Sequence, residues 1–225
     1  TLHGGISLDD NGAGVAPALT LTGTTSVVLS SSVTIDTEQG DDAAGGSVDL
    51  SGQAVSADAA GYDLTIDTAT TAVGQSGGAV DLGTFGNAGT SYVNDLAIDT
   101  SGPAGAGVLT LHGGIALDDD GAAAAPVLTL TGVADVVISD TLTIDTEQGD
   151  DADGGSVDLS GQNLYADAAG YTLTIDATAT SNTAGAVLLG TVDDNAGAAN
   201  FLTGLSVDTR GTVSRVISLG GDVSL

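Results

Sequence analysis

No cysteine occurs in the 225 residues, so neither a disulfide framework nor a thiolate metal site is available. Basic side chains are almost as scarce: Arg210 and Arg215 stand against 30 acidic residues, for a formal charge of −28. A nucleic-acid partner, which needs a basic footprint, is excluded. Four Tyr and two Phe, with no Trp and no Met, cannot fill a thick globular centre. The core must instead be thin, repeated and built from small aliphatic residues. The longest uncharged run, Asn11 to Ile35, is long enough to cross a bilayer, but its Thr/Ser alternation, glycines and Pro17 argue against a transmembrane span.

What the chain has in abundance is Gly (35 residues), Asp, and short apolar segments that bring the hydrophobic share to 41%. That share separates it from disordered acidic tails. Internal repetition dominates. TLHGGISLDD from Thr1 returns as TLHGGIALDD from Thr110, a shift of 109 residues, and Val33–Gln53 returns almost unchanged as Leu142–Gln162. The chain thus divides into a first unit, 1–109, a second, 110–215, and the start of a third, 216–225. It opens and closes in mid-pattern, with the expectation that the stack continues into a longer chain or a neighbouring copy.

Inside each unit a shorter period appears. LTIDT-like segments place Ile35, Ile66, Ile98, Ile144, Ile175 and Val207 at intervals of 31, 32, 46, 31 and 32 residues. VDL-type segments lie between them, often after paired glycines, as in SVDLSG at Ser47 and Ser156. The 46-residue interval holds VLTLHG and VLTLTG instead, and reads equally as two short turns or one turn with an insertion. All these segments alternate apolar and polar residues with period two, the pattern of half-buried strands. No window sustains a helical apolar face with caps. Units that cannot bury their own face and stack on similar neighbours predict a single continuous β-solenoid over 1–225, all-β, with three to four turns per unit of about 109 residues. Ig-like sandwiches would also give repeats of about 100 residues, but the shorter inner period and absent core Trp place them second. Transmembrane β-barrels need longer strands and aromatic girdles.

In these recurring segments, LTIDT, GGSVDLSG and VLTLTG, the chain resembles the bacterial secreted β-strand-repeat exoproteins of the filamentous-haemagglutinin and autotransporter-passenger kind. The resemblance spans the whole chain. It implies a right-handed parallel β-helix at the cell surface or in the extracellular matrix, serving as a fibre or in adhesion. GGSVDLSG lacks the fourth-position Gly of the calcium-binding nonapeptide GGxGxDxUx, so that motif is not reproduced.

Asp36, Asp67, Asp99, Asp145, Asp176 and Asp208 follow the inward residue of each LTIDT-like segment and are expected to point outward, about 4.8 Å apart up one face of the stack. Such a ladder repels itself, and either screening by salt or bound hard cations, calcium foremost, would relieve it. Two acidic turns are further calcium candidates: Asp9 and Asp10 with their twins Asp118 and Asp119, and Glu38, Asp41 and Asp42 with Glu147, Asp150 and Asp151. Neither has EF-hand spacing. His3 and His112 are twins too far apart to share a metal, and Tyr62 and Tyr171 are expected at corners covering the core.

No enzymatic activity is expected, because nearly every carboxylate has a twin one unit away and no asymmetric acid–base constellation emerges. No organic cofactor is implied. The reading that follows is a self-assembling structural module of an extracellular fibre, surface layer or matrix, with Arg210 and Arg215 as candidate contacts to the acidic turn of a next copy in a head-to-tail filament. The alternative is an adhesin stalk or passenger presenting a surface to a glycan or cell-surface ligand. Ice binding through the Thr rows at Thr20/Thr22 and Thr129/Thr131 would need an uninterrupted Thr array, which the LTIDT aspartates break.

Overall fold

The computed structural model describes the chain except residues 11–13, 15, 87–90, 120–124, 150–151, 181, 194–199 and 214. Among the described residues there is no helix. These residues form eighteen strands, every pairing between them parallel, that wind into a β-solenoid, the parallel β-helix expected. Each coil crosses three faces.

The first face stacks Ile6–Ser7, Val33–Asp36, Leu64–Asp67, Leu96–Asp99 and Leu128–Thr131, then the opening residues of Val157–Ala166 and Val187–Val192, and finally Ile217–Leu219. On the second lie Leu19–Thr20, the first halves of Val48–Ala57 and Val80–Phe85, then Val108–Leu111 and Asp135–Ile138. The third carries Ser26–Leu29, Ile115–Ala116, Leu142–Asp145, Thr172–Asp176 and Gly204–Asp208, together with the second halves of Val48–Ala57 and Val80–Phe85. Inward residues stack on their own kind: Ile35, Ile66 and Ile98 are in register and at most 1% exposed. Period-two alternation thus becomes three apolar ladders meeting in one core.

The pairings resolve the 46-residue interval. From Ile98 one coil leads to Leu130 on the same face, and two further faces lead through Val136 to Ile144. One 109-residue unit therefore takes three full coils plus two faces. Sequence twins stand on different faces, Ile35 on the first and Ile144 on the third. This corrects the expectation of a single ladder of six aspartates. Asp36, Asp67 and Asp99 form one ladder, bounded by Ser7 below and Thr131 above. Asp145, Asp176 and Asp208 form another on the third face, beginning next to Ala116. His3 and His112 are likewise separated around the rod: Leu2 bridges Leu29 on the third face, whereas Leu111 pairs with Leu82 on the second.

Ser26–Leu29 and Asp135–Ile138 carry little signal in the sequence, since each has a single polar residue, Ser26 or Asp135, to mark its facing. Val48–Ala57 runs straight through Ser51-Gly52-Gln53, a turn signal that instead makes a bend where the register shifts between Leu50 and Ala54. The other corners are tightened by glycine. A Cβ on Gly46 would sit 1.4 Å from the Pro17 carbonyl oxygen, and one on its twin Gly155 would sit 1.7 Å from that of Pro126.

Candidate metal centre

The LTIDT aspartates have a local role that their position in the sequence conceals. Each carboxylate accepts a hydrogen bond at Oδ1 from the backbone N–H two residues on: Glu38 to Asp36, Ala69 to Asp67 and Ser101 to Asp99, at 2.9–3.0 Å. Glu147 to Asp145, Thr178 to Asp176 and Arg210 to Asp208 repeat it at 3.1 Å. These are Asx turns that end the strand and start the corner. The following Thr then holds the far side of the loop: Thr37, Thr68, Thr100 and Thr146 are fully buried and donate to the carbonyls of Gly46, Gly78, Gly107 and Gly155. Asp-Thr is therefore a corner device before it is anything else.

Stacking still has an electrostatic consequence. Burial raises the Asp67 pKa above the usual carboxylate range, and the Asp36 and Asp99 charges add to the rise against the Ala69 hydrogen bond. Asp208, at the end of its ladder, is held low by Arg210, whose guanidinium grips it with an Nη2–Oδ2 separation of 2.6 Å. Arg210 thus meets a carboxylate of its own chain. Arg215 is exposed and lines a surface depression with Asp153 and Ser156.

The acidic turns come together where the ladders do not. Asp9, Asp10, Glu38 and Asp42 each offer a carboxylate oxygen, and these oxygens all lie within 4.8 Å of one another. Asp118, Asp119 and Glu147 do the same one unit later. Among the described residues these are the two groups of three or more metal-ligating side chains. Each cradle spans two successive coils. Leu8 N–H donates to the Asp36 carbonyl and Gln39 N–H to that of Leu8, fixing the Asp9-Asp10 turn against Glu38; Leu117, Asp145 and Gln148 rebuild the same bonds. Asp41, at φ 52°, adopts the left-handed conformation that Asp tolerates, and this returns Asp42 N–H toward Glu38 Oε1 at 3.4 Å. Asp41 itself is outside the cluster, and Asp150 and Asp151 lie outside the described residues.

The cradles differ in burial. Asp9 and Asp42 are exposed, whereas Asp118, Asp119 and Glu147 are 7%, 0% and 1% exposed. At the second cradle the preceding coil supplies cover: Val93 bridges Leu117 and its carbonyl accepts the Asp118 N–H. Glu38 is 2% exposed, and its Oε2 has no hydrogen-bond partner among the described residues. Burial raises its pKa, and the Asp10, Asp42 and Asp9 charges add to this against the Asp42 hydrogen bond. Two carboxylates about 4.8 Å apart repel by roughly 3 kcal/mol at an effective dielectric near 20. The chain contains no lysine, and its two arginines belong to the last coils. Protonation or a hard cation is what neutralises such a group.

The remaining residues of interest are spread over the surface. His3 accepts or donates at Nδ1 with Ser30 Oγ at 2.6 Å, and His112 lies 3.9 Å from Asp81. Tyr62 and Tyr171 pack partly buried against the core, as expected. No described helix is long and apolar enough to cross a membrane. Compared with known proteins, the chain matches no family model, no curated protein and no solved structure.

Proposed function

We propose that the chain is a structural, self-stacking module of an extracellular fibre, surface layer or matrix, in the manner of the secreted β-strand-repeat exoproteins it resembles. The observation that carries this reading is the junction between its own two units. Leu128–Thr131 of the second unit pairs with Leu96–Asp99 in the same register that Leu64–Asp67 uses from the other side. Copy stacks on copy by the contacts that stack coils within a copy. Ile217 and Leu219 continue the same kind of pairing onto Val187 and Leu189. Repeated between chains, a contact of this kind does not close on itself and propagates into a filament. The charge of −28 opposes sideways association of the faces.

Electron microscopy and fibre diffraction of the purified protein test the proposal. Filaments with a meridional spacing of about 4.8 Å are expected. Isolated short rods that bind a glycan or a protein as monomers would overturn it in favour of an adhesin stalk.

A further inference from the structure

We infer that each 109-residue unit carries one site for a calcium-sized divalent cation, set between two successive coils: Asp9, Asp10, Glu38 and Asp42 in the first unit, and Asp118, Asp119 and Glu147 in the second. The inference does not depend on filament formation. Two observations beyond mere acidity support it. Glu38 is a buried carboxylate belonging to the cluster, and its Oε2 lacks a hydrogen-bond partner among the described residues. The same cradle is also rebuilt on a different side of the rod, with the same coil-to-coil backbone bonds holding it, and there all three carboxylates are buried.

The donor set is all oxygen, which selects a hard cation. Calcium bonds of about 2.3–2.6 Å place ligand oxygens up to roughly 5 Å apart across the ion, which accommodates oxygens lying within 4.8 Å of one another. Magnesium needs shorter bonds and near-ideal octahedral geometry, so it should bind more weakly. The ladders are not sites of this kind. Asp36 to Asp99 spans two coil spacings, about 9.6 Å, and each of these carboxylates already serves its own Asx turn. Because a unit turns through three coils plus two faces, the two ions would lie at different corners, each fastening an acidic loop to the coil beside it.

Calorimetric titration of chelator-stripped protein with calcium at neutral pH and about 0.15 M salt tests this. Two saturable ions per chain are expected, with Glu38→Gln and Glu147→Gln each weakening one site about tenfold or more, and Asp67→Asn weakening neither. Non-saturable uptake, or two sites indifferent to both glutamine variants, would overturn it, as would loss of a site in Asp67→Asn. Should a variant fail to fold, amide exchange on the unaltered chain decides. Calcium must slow exchange selectively at residues 8–10, 38–42, 117–119 and 146–148, and uniform or absent protection counts against the sites.

Discussion

Replacing Asp67 by Asn separates the two roles of the ladder aspartates. Asn keeps a side-chain carbonyl that can accept the Ala69 N–H, now 3.0 Å from Asp67 Oδ1, but removes the middle charge of the Asp36–Asp67–Asp99 stack. At the coil spacing, each neighbour repels Asp67 by about 0.9 kcal/mol in bulk water and about 3.5 kcal/mol at an effective dielectric of 20. The group is partly exposed and screened by salt, so the lower figure is nearer the truth. The neutral acceptor gives back part of the gain, because a charge-assisted hydrogen bond is the stronger one. The expected net result is stabilisation by about 1 kcal/mol at neutral pH and low salt, read from urea unfolding in the presence of chelator.

The pH dependence fixes the cause. The folded-state pKa of Asp67 is raised, so relative to its unfolded form the native carboxyl prefers its proton. Its repulsion is fully felt above the folded pKa and vanishes below the unfolded value of about 3.9. The Asn advantage should therefore fade as pH falls to about 3. Asp67→Ala, which loses the turn as well, should be less stable than Asp67→Asn by about 1 kcal/mol at either pH. An Asn variant less stable than the parent at neutral pH, or equally stabilised in acid, would refute the reasoning.

Other outcomes follow from the same geometry. Gly155→Ala drives a Cβ to within 1.7 Å of the Pro126 carbonyl oxygen and should lower stability by more than about 3 kcal/mol, whereas Gly52→Ala, with nothing within 4 Å, should change it by less than about 0.5 kcal/mol; thermal unfolding compares the two. Ile66→Ala, fully buried between Ile35 and Ile98, should cost about 3 kcal/mol in urea unfolding, and a loss below 1 kcal/mol would mean that the ladder can collapse around the gap. Glu38→Gln should raise the stability of chelator-treated protein at neutral pH, since the raised pKa of Glu38 marks a charge that the fold disfavours, and the gain should disappear below about pH 4.

Much of the fold was legible because the strands are half-buried. Leu64-Thr65-Ile66-Asp67 states its own facing, and the 31- and 32-residue intervals state the coil length. What stayed hidden lies in the interval from Ile98 to Ile144. There Leu128–Thr131 takes the first-face position in place of an LTID segment, and nothing local distinguishes a strand on one face of a coil from a strand on another. Sequence identity between Asp36 and Asp145 therefore suggested a common ladder, while the accumulated coil length turned the second copy away. The acidic turns were legible as clusters of Asp and Glu, but their convergence across coils, Asp9 with Glu38 and Asp118 with Glu147, depends on pairing between segments about 30 residues apart. The Asx turns are not legible in the sequence, because an Asp after an inward Ile reads simply as exposed.

The face change is the central claim, and the absence of native cysteine makes it directly testable by disulfide trapping. Ala97 is the register partner of Thr129 on the first face, whereas Thr143, in the next LTIDT-like segment along the chain, lies on the third. Adjacent parallel strands, at about 4.8 Å, fall within the Cα separation that a disulfide spans. Mild oxidation should cross-link the Ala97→Cys/Thr129→Cys protein quickly and leave Ala97→Cys/Thr143→Cys reduced. Efficient cross-linking of the second pair, with none in the first, would contradict the three-coils-plus-two-faces winding and restore a single ladder of six aspartates.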